Sequence, residues 1–256
     1  MFRILVTFIL IFFTAPSFGQ YAENIASGRP GQAIGARTLG ESVFQLQSGF
    51  SRTQFPSENF QISNVQFNNV LRLGITERFE LSGVVNWQSD KNQILNESNT
   101  VSGISDTQLG GRYTIVTNEG WRPAIALQGR ILLNLQSEAF RMQNLGARFI
   151  LAMGNSLTEK FSLSTNWILG YKRNGGRPSY GYVINLGYGI TDRLSTFVEV
   201  FGALNDIDID IDAGFAFLMN KDLQLDFSFG TLSNGNTTSW FADAGLSWRF
   251  DWRSTI

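Results

Sequence analysis

The segment LGITERFELSGVVNWQ, residues 73–88, holds two alternating apolar runs on either side of a three-residue polar turn. Before the turn Leu71, Leu73 and Ile75 alternate with Arg72 and Gly74. After it Phe79, Leu81, Gly83, Val85 and Trp87 alternate with Glu80, Ser82, Val84 and Asn86. A period of two on both arms is the signature of a β-hairpin. The unit returns as NSLTEKFSLSTNW (155–167), as LGYGITDRLSTFVEV (186–200) and, more weakly, as FLMNKDLQLDFSF (217–229). Twelve alternating runs, an even number, can be marked between residues 41 and 250.

The connections fall into two classes. Those near Thr76, Thr117, Thr158, Thr191 and Asn220 are tight and polar. Those at Ser51–Phe60, Asp90–Ser105, Leu135–Met142, Lys172–Pro178, Asn205–Ile209 and Ser233–Thr237 alternate with them and are often longer. Short turns at one end and longer loops at the other are how outer-membrane barrels are built, the short side being periplasmic. Runs of 10 to 13 residues come close to the about 9–11 that a tilted strand needs to cross a bilayer. A soluble sandwich or propeller accounts less readily for that length. The faces agree. Trp121, Ile125, Leu127, Ile131 and Leu133 oppose Arg122, Gln128, Arg130 and Asn134, and Leu246, Trp248 and Phe250 oppose Asp243, Gly245, Ser247 and Arg249. Aromatic residues gather at run ends, Phe79, Trp121, Phe161 and Tyr188 beside tight turns and Trp87, Trp167, Tyr171 and Tyr180 beside the others, as in two membrane girdles. The expected fold is all-β, a transmembrane antiparallel up-and-down β-barrel of about 12 strands.

Composition fits that reading. The chain opens MFRILVTFILIFFTAPSFGQ, with a basic residue, an apolar run to Phe13 and small residues Ser17 and Gly19, which predicts a signal peptide over 1–19 and an exported protein. Its removal takes away only Arg3 and leaves 19 basic against 21 acidic side chains, a formal charge of −2. Near-neutrality gives nucleic acid no electrostatic handle. Aromatics make up 13% and glycine 26 residues, while no segment after the leader is apolar enough for a spanning helix. Residues 20–40, with Gly28, Pro30, Gly31, Gly35 and Gly40, have no sustained period and read as an irregular segment carrying Arg29, able to lie in or under the lumen. The barrel is then 41–256. The final run ends near Phe250, short of the extreme C-terminus where a barrel signal normally lies.

The chain has neither histidine nor cysteine. Histidine is the usual base or ligand of barrel hydrolases, so no enzyme and no cofactor is expected. Asp206, Asp208 and Asp210 mimic the opening of a calcium loop, and with Asp212 they lie along one strand face. Ile211 stands where that loop needs glycine and Phe217 where it needs a closing glutamate, and alternate strand residues about 7 Å apart cannot share one ion, so no metal site is assigned. The charges on the inward faces are more informative. Early runs place Arg72, Arg112, Arg130 and Arg148 inward with Glu80 and Asp106. Late runs place Glu199, Asp208, Asp210, Asp212, Asp226 and Asp243 inward, with Arg249 the basic exception. Closed into a ring, one wall is mainly basic and the opposite wall mainly acidic. These charges either select solutes or stabilise the lumen as an ion-pair network.

The residues resemble a known family. GRPGQAIGARTLGESVFQLQSGF (28–50), VLRLGITERFELSGV (70–84), GISDTQLGGRY (103–113), RPAIALQGRI (122–131), GITDRLSTFVEVFG (189–202) and ADAGLSWRF (242–250) are similar to blocks of the bacterial outer-membrane meta-pathway phenol-degradation proteins, often labelled "transporter". Gly28, where the family pattern has an acidic residue, and Gln47, where it has glutamate, depart from it. The resemblance implies an outer-membrane barrel that passes small solutes, aromatic or apolar compounds among them. The expected function is thus a porin-like channel for passive uptake or efflux, with the lipid bilayer, a small-molecule solute and the barrel-assembly machinery as partners. The alternatives are a structural or interaction barrel with a closed, charge-filled lumen and a secreted soluble β-protein.

Overall fold

The computed structural model describes residues 22–56, 60–94, 97–118, 120–171, 176–205, 209–234 and 237–252. The signal peptide expected over 1–19 lies outside these residues, as do Asp206 and Asp208. Twelve strands follow one another: β1 (Val43–Pro56), β2 (Phe60–Thr76), β3 (Phe79–Ile94), β4 (Glu97–Val116), β5 (Ala124–Leu132), β6 (Gly146–Ser156), β7 (Phe161–Tyr171), β8 (Ser179–Gly189), β9 (Leu194–Ala203), β10 (Asp210–Asn220), β11 (Leu223–Asn234) and β12 (Thr237–Asp251). Each pairs antiparallel with its neighbours in sequence, and β1 closes on β12 from Val43↔Asp251 to Gln54↔Trp240. Closure leaves no unpaired sheet edge, the condition a sheet must meet to stand in hydrocarbon.

The outer face is apolar. Leu81 is 43% exposed, Val85 48% and Phe215 53%, and the same outward position recurs strand after strand. Leaving a large apolar side chain in water forgoes about 1.5–3 kcal/mol, so a belt of them around the whole barrel marks lipid as its solvent. Phe50, Phe67 and Trp87 stand side by side across β1, β2 and β3 and rim this belt on the loop side. Phe161 against Tyr188, ring centroids 4.7 Å apart, and the run Trp248, Phe250, Trp252 rim it on the turn side.

The tight turns share one device. Thr76, Thr158 and Thr191 each accept at Oγ1 the backbone N–H groups two and three residues on, at 2.9–3.3 Å. Asn220 accepts at Oδ1 from Asp222 N–H, 2.9 Å. A hydroxyl or amide oxygen that pairs these orphan donors fixes the chain reversal. Both ends of the wall meet on this side: Ser42 N–H bonds Gly74 O and Trp252 N–H bonds Ser42 O.

Three sequence expectations change. Within Ser51–Phe60 and Asp90–Ser105 the described residues are strand rather than loop: β1 to β4 run 14, 17, 16 and 20 residues and carry residues 51–56, 60, 90–94 and 97–105. Phe79–Trp87 covers a bilayer-spanning length, and beyond Trp87 the ladder continues with polar pairs such as Gln66 Nε2 to Gln88 Oε1, 2.6 Å, and Asn64 Nδ2 to Asp90 Oδ1, 2.5 Å. In water both faces of a strand are polar, so the alternation that reveals it disappears. The connection at Thr117 is not tight, since residues 117–123 separate β4 from β5. There Asn118 Nδ2 bonds Arg122 O and Trp121 is 85% exposed, so β5 begins at Ala124 rather than Trp121.

Candidate functional site in the barrel lumen

Residues 22–40 run through the lumen without forming a strand or helix. A segment without secondary structure has orphan backbone donors and acceptors that need partners once buried. Inward-facing side chains of the wall supply them. Asn166 on β7 accepts Ile34 N–H at 2.7 Å and donates to Ile34 O at 3.0 Å, imitating a strand neighbour. Glu199 on β9 accepts from Gln32 N–H and from Ala33 N–H. Gln224 on β11 donates to Arg29 O, 2.9 Å, and Thr114 on β4 donates to Ala36 O, 3.1 Å. Gly31, at φ +89, lies where a Cβ would collide with the Glu199 carboxylate, so this position needs glycine on both counts.

At the turn-side end of the lumen, Arg72 on β2 and Glu80 on β3 form a two-pronged ion pair, Nε to Oε1 2.9 Å and Nη2 to Oε2 2.7 Å. They are 3% and 1% exposed. Arg112 on β4 lies 3.6 Å from the same carboxylate. Each group spends its remaining capacity on the inner segment: Arg72 donates to Ala26 O, Arg112 to Gly35 O and Arg37 O, and Glu80 accepts Leu39 N–H at 3.0 Å. Arg249 on β12 pairs with Asp222 and donates to Ala22 O and Glu23 O.

Arg29 reaches the other wall. Its guanidinium pairs with Asp226 on β11 at 3.0 Å and with Asp243 on β12. It lies over Gly49 and Gly245, which face each other in the β1–β12 pairing, and a Cβ on Gly245 would stand 2.6 Å from its Cζ. The two glycines clear its bed. Gly28 and Gln47, the two departures from the family pattern, are also neighbours: a Cβ at Gly28 would lie 3.6 Å from Gln47 Oε1. Asp212 faces Glu199 across the β9–β10 pairing, and Asp210 accepts Ser233 N–H. Of the calcium-like run, Asp206 and Asp208 are not among the described residues, and among those that are no acidic cluster could hold a metal ion.

Between the inner segment and the loop side is a cavity of about 510 Å³. Arg130 on β5 and Arg148 on β6 open into it, directly opposite each other in the pairing. Asp106 on β4 lines it too and is bonded by Gln108 Nε2. Thus the basic wall divides into two settings, Arg72 and Arg112 tied to Glu80 and to the segment, Arg130 and Arg148 facing open space. Sequence reasoning, which followed charges, missed the neutral side chains that hold the segment, Asn166, Gln224 and Thr114. Their inward position was the available signal.

Comparison with known proteins bears on the fold. The chain superposes on an outer membrane channel from Pseudomonas putida F1 with a TM-score of 0.68 at 12% identity, covering 88% of this chain and 100% of that one. It superposes on the KdgM porin in complex with disordered oligogalacturonate with a TM-score of 0.56 at 15% identity, covering 79% and 99%. For the Pseudomonas putida toluene transporter TodX the figures are 0.50, 8%, 92% and 98%. No sequence among curated proteins matches the chain. Residues 27–250 match the family described as "Putative MetA-pathway of phenol degradation", and the chain belongs to that family.

Proposed function

We propose that this member of the phenol-degradation family is an outer-membrane channel through which small solutes cross passively. The observation that carries the reading is a mainly polar-lined cavity of about 510 Å³ inside a closed barrel whose outer belt is apolar. The similarity to an outer membrane channel and to a toluene transporter supports it, as does the family. Nothing in the chemistry of the wall calls for a reaction: the lumen offers fixed charges, amides and hydroxyls, the groups that sort solutes rather than transform them. The loop side faces outward and the tight turns face the periplasm, as in other barrels of this kind. Liposomes carrying the protein should swell in solutes of graded size, with a sharp size limit set by the inner segment.

A second reading rests on residues 22–40. Their anchorage to β3, β4, β7, β9, β11 and β12 favours a lumen closed in the resting state, with the loops or outer face making the contacts that matter. The same swelling assay separates the two, because a closed barrel gives no swelling with any solute.

A further inference from the structure

We infer that the lumen holds a binding site for a small organic anion with an apolar body, such as an aromatic or short aliphatic carboxylate, seated on Arg130 and Arg148. The inference rests on the reading of the lumen as a solute pathway and names the class of solute. Four other arginines with inward guanidiniums, at 29, 72, 112 and 249, are occupied by carboxylates or backbone carbonyls. Arg130 and Arg148 are not. Arg130 Nε is buried without a hydrogen-bond partner, and its Nη1 reaches Gln108 Oε1 only at 3.5 Å, beyond the usual N–H···O range. Arg148 makes no hydrogen bond or ion pair among the described residues and is exposed to the lumen.

Two guanidiniums directly opposite on paired strands repel each other, and they are held there by the register Arg130↔Arg148. Asp106 is the one carboxylate that both feel, set against two guanidiniums. Two planar forks side by side match the oxygens of a carboxylate, sulfonate or phosphate. The rest of the cavity selects among these. Ile150 stands two residues beyond Arg148 on the same inward face, and Val84, Phe201 and Phe241 line the same space. With Val70 and Leu232 they make the apolar part of a mainly polar cavity, and they offer a surface that a hydrated inorganic anion cannot use. The volume of about 510 Å³ falls within the about 300–1,000 Å³ of small-molecule sites.

The test is calorimetric titration of the full barrel in detergent with benzoate, benzyl alcohol and inorganic phosphate, repeated on R148Q, R148K and R130Q/R148Q. Heat-modifiable gel migration checks that each variant keeps the barrel. Benzoate should bind, benzyl alcohol and phosphate should bind at least about tenfold more weakly, and R148Q should weaken benzoate by about tenfold. R148K, which keeps the charge and loses the fork, should fall between. Benzoate binding no tighter than benzyl alcohol, phosphate binding equal to benzoate, or affinity unchanged in folded R130Q/R148Q overturns the site. Because binding is read without transport, absent swelling with retained benzoate binding would overturn the channel and leave the site standing.

Discussion

Arg112 and Arg130 occupy neighbouring strands with their side chains on the same inner wall, yet their surroundings differ in kind. Around Arg112, with Arg72 and Glu80, every strong group has a partner within the wall or on residues 22–40. Around Arg130, with Arg148, the side chains line the cavity, and Arg130 Nε has no hydrogen-bond partner. The difference shows what inward charge does in this barrel. Where an irregular segment is buried, charges satisfy its backbone and one another. Where it is absent, they are left for a solute. A buried charge without its partner is expensive, whereas a hydrated charge is not, so the two settings should respond oppositely to neutralisation.

Glu80→Ala should have the largest effect. It leaves Arg72 and Arg112 buried without a carboxylate and Leu39 N–H without an acceptor. Breaking a buried pair from one side costs about 3–5 kcal/mol, to be read as a lowered midpoint in denaturant unfolding of the barrel. A loss below about 1 kcal/mol, the level of an exposed pair, would break the distinction. Arg29→Ala comes next. It leaves Asp226 and Asp243 without their cation and loosens the segment between Ser27 and Gln32, at a cost of about 1–3 kcal/mol and with increased single-channel conductance. Unchanged conductance would mean that Arg29 does not hold the segment across the path. Asn166→Ala removes both bonds to Ile34 at about 1–2 kcal/mol, and limited proteolysis of the segment should become faster. The smallest stability change belongs to R130Q/R148Q, within about 0.5 kcal/mol, because the repulsion relieved between the two guanidiniums offsets the attraction to Asp106 that is lost.

The fold was legible wherever the two faces of a strand meet different solvents. Leu81 and Val85 in lipid against Glu80 and Ser82 in the lumen write a period of two into the sequence, and Thr76, Thr158 and Thr191 punctuate it with turns that a hydroxyl can cap. Asp90–Gln93 and Asn99–Ser102 were not legible, since strand that leaves the bilayer has water on both sides. The site was legible in part for the same reason. Alternation assigns Arg72, Arg130, Arg148, Asp226 and Asp243 to one face, but it says nothing of which partner each will find. That depends on where residues 22–40 lie, and contacts such as Arg29 to Asp243 and Ser27 to Ser247 join positions more than two hundred residues apart. Register along a strand is local information; occupancy of the lumen is not.

The division between tied and open arginines is tested most directly by the reversal potential of single channels in planar bilayers under a salt gradient, for the unaltered protein and for R130Q/R148Q. The account predicts anion selectivity in the first and its loss in the second, with the barrel equally stable in both. Cation selectivity in the first, or selectivity unchanged in the second, would contradict it.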